Sequence, residues 1–269
     1  MISGLLIQTL SYAVITPLYL ILHLSTSPTA IYPSAADISV DMSHLITIPI
    51  SITIGYILPA VLLALPAPSV LTFDRKQILL AIWQVFPIWV GVLQRTIPSM
   101  VSMVSNSERK SSAPRAKASG NYLRAIRCIY LFALVLTGFT HISATTLTAT
   151  SKFFPNLFAP EYVGVFNPSN VFFPRTISTT VRMPSIGQGT LLLLQYDGLI
   201  GSASLVIWAS TLFVRAYGRR RVFDQWLSLV TANVLLSALV GPVGCAVALI
   251  WARDELVLGT SEGYADKFI

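Results

Sequence analysis

Charged residues are scarce in this sequence. Asp, Glu, Lys and Arg make up 11% of its 269 residues, whereas a soluble domain typically carries about 25%. Hydrophobic residues make up 54%, and the mean hydropathy is +0.70. The composition excludes an ordinary soluble domain. It predicts a polytopic membrane protein with a single transmembrane domain over residues 1–269.

The familiar nucleotide, metal and diphosphate motifs are also missing. The sequence has no Walker A loop, no Rossmann glycine fingerprint and no HExxH. It has no DDxxD or DxDD, so an aspartate-rich Mg²⁺–diphosphate site is not expected. Its two cysteines, Cys128 and Cys245, lie in apolar segments without metal-ligand spacing. We therefore expect no metal and no cofactor.

The net charge of +7 indicates membrane topology and not nucleic-acid binding. The basic residues cluster between apolar stretches, where they contact lipid headgroups and determine orientation. The clusters are Arg109, Lys110, Arg115, Lys117, Arg124 and Arg127 after the third stretch, and Arg215, Arg219, Arg220 and Arg221 after the fifth. The positive-inside rule places both clusters in the cytosol. The expected partner is the lipid bilayer.

Apolar stretches of about twenty residues, enough to cross a bilayer as a helix, recur six times. They cover residues 4–24, 45–65, 78–97, 128–147, 191–214 and 227–251. Gly241 and Pro242 interrupt the last one. The connection at 151–190 is rich in Phe and Pro, which suits an interfacial belt or a lid, and a further helix within it stays open. We predict an all-α bundle of about six to seven transmembrane helices.

The fifth stretch carries an acid, Asp197. A carboxylate at this depth costs a few kcal/mol or more, so intramembrane acids usually face a bundle interior and serve a function. Gly198, Gly201 and Ser202 beside it are small and leave room for a neighbouring backbone or a ligand. Two interpretations stay open. One is close packing with the acid satisfied by a partner, and the other is an acid in a reaction or transport site.

Gln84, His141 and Asp197 are predicted to lie at one depth. Each is about 9 Å from the non-cytosolic end of its span, at a rise of about 1.5 Å per residue. Each alone is typical of structural packing, but together they outline a pocket. Low dielectric favours the neutral form of a carboxyl group, which can give up a proton. The residues that could line such a pocket and shield a cation are Tyr56, Trp83, Trp89, Tyr196, Gly201 and Trp208.

The sequence resembles the small integral-membrane cyclases of fungal meroterpenoid and indole-diterpene gene clusters. The resemblance is spread over nearly the whole length and rests on a combined pattern. The segments that carry it are SYAVITPLYLILHLSTSPTA, ITIGYILPAVLLALPAPSV, AIWQVFPIWV, NLFAPEYVGVFNP, QYDGLIGSASLVIWA and GPVGCAVALIWARDE.

The resemblance implies a seven-span protein of the endoplasmic reticulum membrane that cyclises a polyprenyl chain on an aromatic or polyketide head. It also implies that an acid protonates an epoxide or olefin without a metal, and that two intramembrane acids take part. Asp197 matches one of them. Gln84 stands where we would look for the second, but an amide cannot donate a carboxylic proton. The remaining candidates are Glu161, Asp254 and Glu255.

The resemblance thus implies a metal-independent terpene cyclase, an isomerase- or lyase-type enzyme, with a hydrophobic prenylated small molecule as substrate. In this hypothesis Asp197 donates the proton, and Gln84 and His141 orient the acid or help to quench the cation. Two other hypotheses stay open. One is a proton-coupled or small-molecule transporter with Asp197 and His141 as a relay. The other is a non-catalytic scaffold for neighbouring biosynthetic enzymes.

Overall fold

The chain is helical in the part that the structure describes. The computed structural model describes residues 2–106, 120–176, 183, 185–217 and 223–265. These residues contain no β-strand, which confirms the predicted all-α class. Most of the basic residues on which the predicted orientation depends lie outside the described residues, namely Arg109, Lys110, Arg115, Lys117, Arg219, Arg220 and Arg221.

The helices of the first half are short or broken, and those of the second half are long. The first are α1 (Ile2–Leu10), α2 (Tyr12–Thr26), α3 (Pro28–Ile31), α4 (Ala35–Ile38), α5 (Met42–Ile52), α6 (Leu58–Ala64), α7 (Phe73–Gln84) and α8 (Phe86–Asn106). A π-helical turn, Thr53–Ile57, joins α5 to α6. The others are α9 (Gly120–Phe153), a 3-10 turn (Pro155–Leu157), α10 (Pro160–Val163), α11 (Pro168–Phe172), α12 (Ile186–Tyr217) and α13 (Phe223–Ala265).

Length and hydropathy identify the stretches that can cross a membrane. Among the described residues, four qualify by themselves: Met42–Ala64, Gly120–Phe153, Ile186–Tyr217 and Trp226–Gly259. A fifth is the bent pair α7 and α8, which meet at 56°, and α2 is a shorter apolar helix that follows α1. These stretches overlap predicted ones, and the protein is an all-α membrane protein. The bounds of the spans stay predictions.

The sixth stretch is not one helix, because the chain folds back at Gly241. This residue has φ 80° and ψ 161°, which no helix contains. Cys245 Sγ lies 3.6 Å from Asn233 Oδ1, although twelve residues of straight helix would separate these positions by about 18 Å. The predicted span at 227–251 is therefore replaced by two helical parts, 223–240 and 242–265. Each is long enough to cross a bilayer, and the number of spans stays a prediction.

The connection predicted at 151–190 contains only short helices where it is described. The 3-10 turn, α10 and α11 each have five residues or fewer, so no further spanning helix lies within 154–176. Residues 177–182 and 184 lie outside the described residues. The flanking helices α9 and α12 extend into the predicted connection at either end. The prediction that this connection lies at the membrane interface is untested.

The structure divides into two compact units. The first comprises Met1–Leu10, Tyr32–Phe132 and Asp254–Ile269, and the second comprises Ser11–Ile31 and Ala133–Arg253. Each has its own apolar core. The core of the first unit is formed by Leu45, Leu123, Ile126 and Leu258. The core of the second is formed by Ala209, Cys245, Ala246 and Leu249.

In the first unit, the π-helical turn between α5 and α6 packs closely against α8. Gly55 lies in this turn, and a Cβ atom built on it would lie 2.9 Å from the backbone nitrogen of Val90. Only glycine permits this close approach of two backbones. The contact fixes Tyr56, the next residue, near the start of α8.

In the second unit, α2 runs parallel to α12. Three contacts follow the same order along both helices: Asp197 meets the start of α2, Trp208 meets His23, and Arg215 donates to the carbonyl of Leu24 at 2.9 Å. A parallel pair is what alternating spans require of the first and fifth stretches. The acid Asp197 is thereby placed at the amino-terminal end of α2.

Candidate functional site

Asp197 binds the start of α2 through both oxygens of its carboxyl group. Its Oδ1 accepts hydrogen bonds from the Ser11 hydroxyl and from the Ala13 N–H, the latter at 2.7 Å. Its Oδ2 accepts one longer bond, 3.3 Å, from the Tyr12 N–H. The side chain is half-buried. The acid therefore has three hydrogen-bond donors from a neighbouring helix, as the packing interpretation expects.

A break in the first apolar stretch leaves backbone amides that Asp197 binds. The helix α1 ends at Leu10 and α2 begins at Tyr12, so the first amides of α2 have no intrahelical carbonyl to bind. A carboxylate at such an end contributes about 0.3–1 kcal/mol, and up to about 2 kcal/mol when it is partly buried. The sequence analysis did not predict this break. Serine is among the favoured residues at helix starts, and Ser11 was the available signal.

The ring of Tyr12 packs on Gly201, which lies one turn after Asp197. A Cβ atom on Gly201 would lie 2.1 Å from Tyr12 Cε1, so the ring rests directly on the glycine. Gly201 is buried. The room that the sequence predicted beside the acid exists, but an aromatic side chain of α2 fills it. Tyr12 is thus an aromatic residue near Asp197 that the prediction of pocket-lining residues missed.

The two aromatic residues predicted for the site on α12, Tyr196 and Trp208, form hydrogen bonds with residues other than Asp197. Trp208 lies about 16 Å along the helix axis from Asp197, and its Nε1 donates to His23 Nδ1 at 3.1 Å. Tyr196 precedes the acid directly, and its hydroxyl donates to the carbonyl of Arg175 at 3.0 Å. Trp208 is therefore placed to fix the far end of α2, away from the carboxyl group.

The segment 154–176, here named the cap, is tied to α12 immediately before Asp197. Gln195 Nε2 donates to the carbonyls of Asn170 at 2.6 Å and of Val171 at 2.9 Å. Within the cap, Asn170 Nδ2 donates to the carbonyl of Gly164 at 2.8 Å. The bond from Tyr196 adds a second tie. The cap is thus an ordered structure attached at the residues that lead into the acid.

His141 fills the turn at Gly241. Its Nε2 donates to the carbonyl of Ala238 at 3.2 Å, and a Cβ atom on Gly241 would lie 3.0 Å from the imidazole ring. This contact holds the reversal of α13. Within the described residues, Asp197 binds α2 and His141 binds α13, so their hydrogen bonds do not join them into the relay that a transporter would use.

Several predicted site residues of the first unit lie together at the break between α7 and α8. The rings of Tyr56 and Phe86 have centroids 4.7 Å apart, and those of Trp83 and Phe86 are 6.0 Å apart. Trp89 Nε1 donates to the carbonyl of Ile82 across the break, at 2.9 Å. The sequence analysis identified Tyr56, Trp83 and Trp89 but missed Phe86.

Two polar groups accompany this aromatic cluster. Gln84 Nε2 donates to the carbonyl of Gln8, in the last turn of α1, at 3.1 Å. The indole nitrogen of Trp83 is buried and has no hydrogen-bond partner among the described residues. Gln84 belongs to the first unit, while His141 and Asp197 belong to the second. The prediction that all three share one pocket therefore stays a prediction.

The remaining candidate acids have other surroundings. Glu255 forms a bidentate ion pair with Arg127, with Nε–Oε1 at 2.6 Å and Nη2–Oε2 at 2.8 Å. Asp254 accepts a hydrogen bond of 2.5 Å from the hydroxyl of Tyr130. Glu161 is exposed in α10. In the described ranges, no group of three His, Cys, Asp or Glu residues is placed to hold a metal ion.

An open apolar groove of about 470 Å³ lies on α9 in the second unit. One face of the helix, from Phe139 to Thr150, forms its floor, and Phe158 of the cap forms a wall. No residue predicted for the site lines this groove. Its volume is within the range of small-molecule sites, about 300–1,000 Å³.

The fold and these contacts define a polytopic helical membrane protein with an intramembrane acid bound to a broken helix. The CtvD domain matches residues 1–258, and the chain belongs to this family. It is 29% identical over 259 residues to terpene cyclase ctvD of Aspergillus terreus, covering 94% of this chain and 66% of that protein. The family confirms the resemblance found in the sequence.

Two further relatives carry the same description. Terpene cyclase ascI of Acremonium egyptiacum is 27% identical over 258 residues, covering 95% of this chain and 62% of the relative. Terpene cyclase sdgD of Emericella nidulans is 27% identical over 254 residues, covering 94% and 61%. The chain thus spans about three fifths of the length of these two relatives. No solved structure matches it.

Proposed function

We propose that this protein is a membrane-bound terpene cyclase of fungal secondary metabolism. Its substrate is a prenylated aromatic or polyketide intermediate that carries an epoxide or an olefin, and its site of action is the endoplasmic reticulum membrane. Family membership and the relatives described as terpene cyclases support the reaction class. A site within a membrane suits a substrate with a long apolar chain.

The observation that supports this proposal most directly is the way Asp197 is held. Its Oδ1 carries two of the three hydrogen bonds, from Ser11 and Ala13, while Oδ2 has only the 3.3 Å contact with Tyr12. When Oδ2 carries the proton, the protein makes only this one long contact with that oxygen, so the proton is available for transfer. General acid catalysis needs such a positioned donor.

The other candidate acids are less suited to this role. Glu255 is bound by a guanidinium group through two bonds, which stabilise its charged form. Asp254 is bound by a phenol, and Glu161 is exposed on a short helix of the cap. Asp197 is also the only one of these four acids that lies within α12. We therefore assign the proton donor to Asp197.

The proposed reaction is an isomerisation that consumes no external reagent. Asp197 Oδ2 gives its proton to the epoxide oxygen or to an olefin carbon, and a carbocation forms at the carbon left electron-deficient. The π electrons of neighbouring double bonds form the ring bonds in turn. Loss of a proton from the final cation, or attack by a hydroxyl group of the substrate followed by loss of its proton, restores the carboxylic acid. The proton taken up and the proton released balance.

In this proposal, aromatic rings stabilise the positive charge. Tyr12 lies beside the acid in the second unit, and Tyr56, Trp83 and Phe86 form the cluster in the first. Each ring face stabilises a cation by roughly 0.5–2 kcal/mol. Tyr12 takes the cation-shielding role beside Asp197 that was predicted for Trp208. We propose that the cap, which is tied to α12 at Gln195, limits the access of water to the acid.

One observation favours the scaffold hypothesis instead. The ring of Tyr12 covers Gly201, and all three donors to Asp197 come from the start of α2. Packing alone would account for these contacts. In that case the acid stabilises α2 and carries out no chemistry.

The test is a microsomal assay with a farnesylated phenolic epoxide, in which the protein is compared with Asp197→Asn. The asparagine keeps an acceptor oxygen for Ser11 and Ala13 but has no acidic proton. Asp74→Asn is the matched control, because it changes an exposed acid to an amide in the first turn of α7. Loss of the cyclised product in Asp197→Asn alone, at equal protein level, supports the proposal. Full product from Asp197→Asn would remove this acid from the mechanism.

A further inference from the structure

The backbone of Ser11 is held in a conformation that serine rarely adopts. Its φ is 116° and its ψ is 144°, and it is the one non-glycine residue with positive φ in the described part of the chain. Glycine adopts such angles freely, whereas a Cβ atom makes them unfavourable. Strain of this kind persists only where the surrounding structure requires it, and such residues cluster at functional sites.

The hydroxyl group of Ser11 explains why serine stands there. It donates to Asp197 Oδ1 and accepts a hydrogen bond of 3.2 Å from the Ala13 N–H. The same Ala13 N–H also points to Oδ1, at 2.7 Å. Ser11, Ala13 and the carboxyl group therefore form a closed set of contacts in which Oδ1 is fixed from two sides.

We infer that Ser11 is a positioning residue, which holds Asp197 through Oδ1 so that Oδ2 is presented to the substrate. This inference rests on the proposed function of Asp197. Ser11 acts through the acid and does not touch the reacting atoms itself. The strained backbone at the helix break places its hydroxyl where the carboxyl group needs a donor, and the rest of the fold bears the cost of that strain.

A purely structural role makes a different prediction. If Ser11 only starts α2, then activity follows the stability of the protein. Ser11→Gly and Ser11→Ala separate the two roles, because both remove the hydroxyl group but only glycine relieves the backbone strain. Ser11→Gly is therefore expected to melt about 2–8 °C above Ser11→Ala.

The first experiment measures kcat, KM and the melting temperature of these variants with the farnesylated phenolic epoxide. We expect kcat to fall about ten- to hundredfold in both Ser11 variants, by the same factor, because a misplaced acid loses its alignment. KM is expected to change little. Ser25→Ala is the control, since among the described residues this exposed hydroxyl on α2 binds only the carbonyl of Ile21. Wild-type kcat in Ser11→Gly would overturn the inference.

Asp197→Asn, assayed alongside, separates the two proposals. If Asp197→Asn is inactive while Ser11→Gly is fully active, the positioning role is wrong and the proposed function stands. If Asp197→Asn is fully active, the proposed function fails. A second measurement needs no substrate: the infrared carboxyl band that disappears in Asp197→Asn is expected to shift equally in Ser11→Gly and Ser11→Ala. An unshifted band would contradict the inference.

Discussion

His141 donates a hydrogen bond to the carbonyl of Ala238, which lies four residues before Pro242. In a continuous helix the nitrogen at position 242 would bind this carbonyl, but proline has no N–H. The positive φ of Gly241 also interrupts the helix and changes the direction of the chain. The imidazole of His141 therefore supplies the donor that the turn removes, which accounts for a polar side chain in the middle of an apolar helix.

We expect His141→Ala to destabilise the protein by about 1–3 kcal/mol, because a carbonyl is left without a donor in apolar surroundings. His141→Gln retains an N–H at a similar reach and is expected to lose less. Thermal unfolding of the detergent-solubilised protein measures both. Thr140→Ala is the control, since this exposed hydroxyl binds carbonyls of its own helix. Equal melting of His141→Ala and the parent would contradict the assigned contact.

Helix breaks explain what the sequence could and could not predict. The apolar stretches, the all-α class and the interruption at Gly241 and Pro242 follow from composition and backbone chemistry. The break at Ser11 does not, because polar residues such as Gln8 and Thr9 also occur within unbroken helix, and only tertiary contacts make a break favourable here. At such breaks, freed backbone groups need partners because lipid offers none.

The polar residues predicted for the site turn out to bind at these breaks. Asp197 binds the amides at the start of α2, Gln84 binds a carbonyl at the end of α1, and Trp89 binds a carbonyl at the end of α7. The sequence could show that polar groups occur within apolar stretches, but it could not show which backbone groups they meet. Their chemical roles depend on the substrate, so they stay predictions.

Gly201→Ala is expected to displace Tyr12. The new methyl group would lie 2.1 Å from the ring, and overpacking of this kind costs about 1–3 kcal/mol. Gly198→Ala is the matched control, since a Cβ atom there meets nothing within 4 Å. The control is expected to be neutral or to stabilise α12 by about 0.5–1 kcal/mol through helix propensity. Melting temperatures measure the difference, and equal values for the two variants would contradict the packing of Tyr12 on Gly201.

Gln195→Met is expected to release the cap. Methionine has a similar size but cannot donate to the carbonyls of Asn170 and Val171, so two hydrogen bonds are lost. Each is worth about 0.5–1.5 kcal/mol. We expect faster hydrogen exchange and proteolysis within 154–176, while the unfolding of α12 is unchanged. Gln188→Met, at the exposed start of the same helix, serves as the control. Unchanged protection of the cap would show that Gln195 does not hold it.

Gln84→Glu tests whether this position needs a donor or tolerates an acid. The amide of Gln84 donates to the carbonyl of Gln8 at 3.1 Å, whereas a carboxylate can only accept and would repel that oxygen. The substitution is therefore expected to cost about 1–3 kcal/mol at neutral pH. A protonated glutamic acid can donate again, so the loss is expected to shrink as the pH falls. Gln84→Met, which never donates, provides the comparison and is expected to lose stability at every pH. If both variants respond to pH in the same way, or if Gln84→Glu is as stable as the parent at neutral pH, the donor role of Gln84 at the end of α1 is wrong.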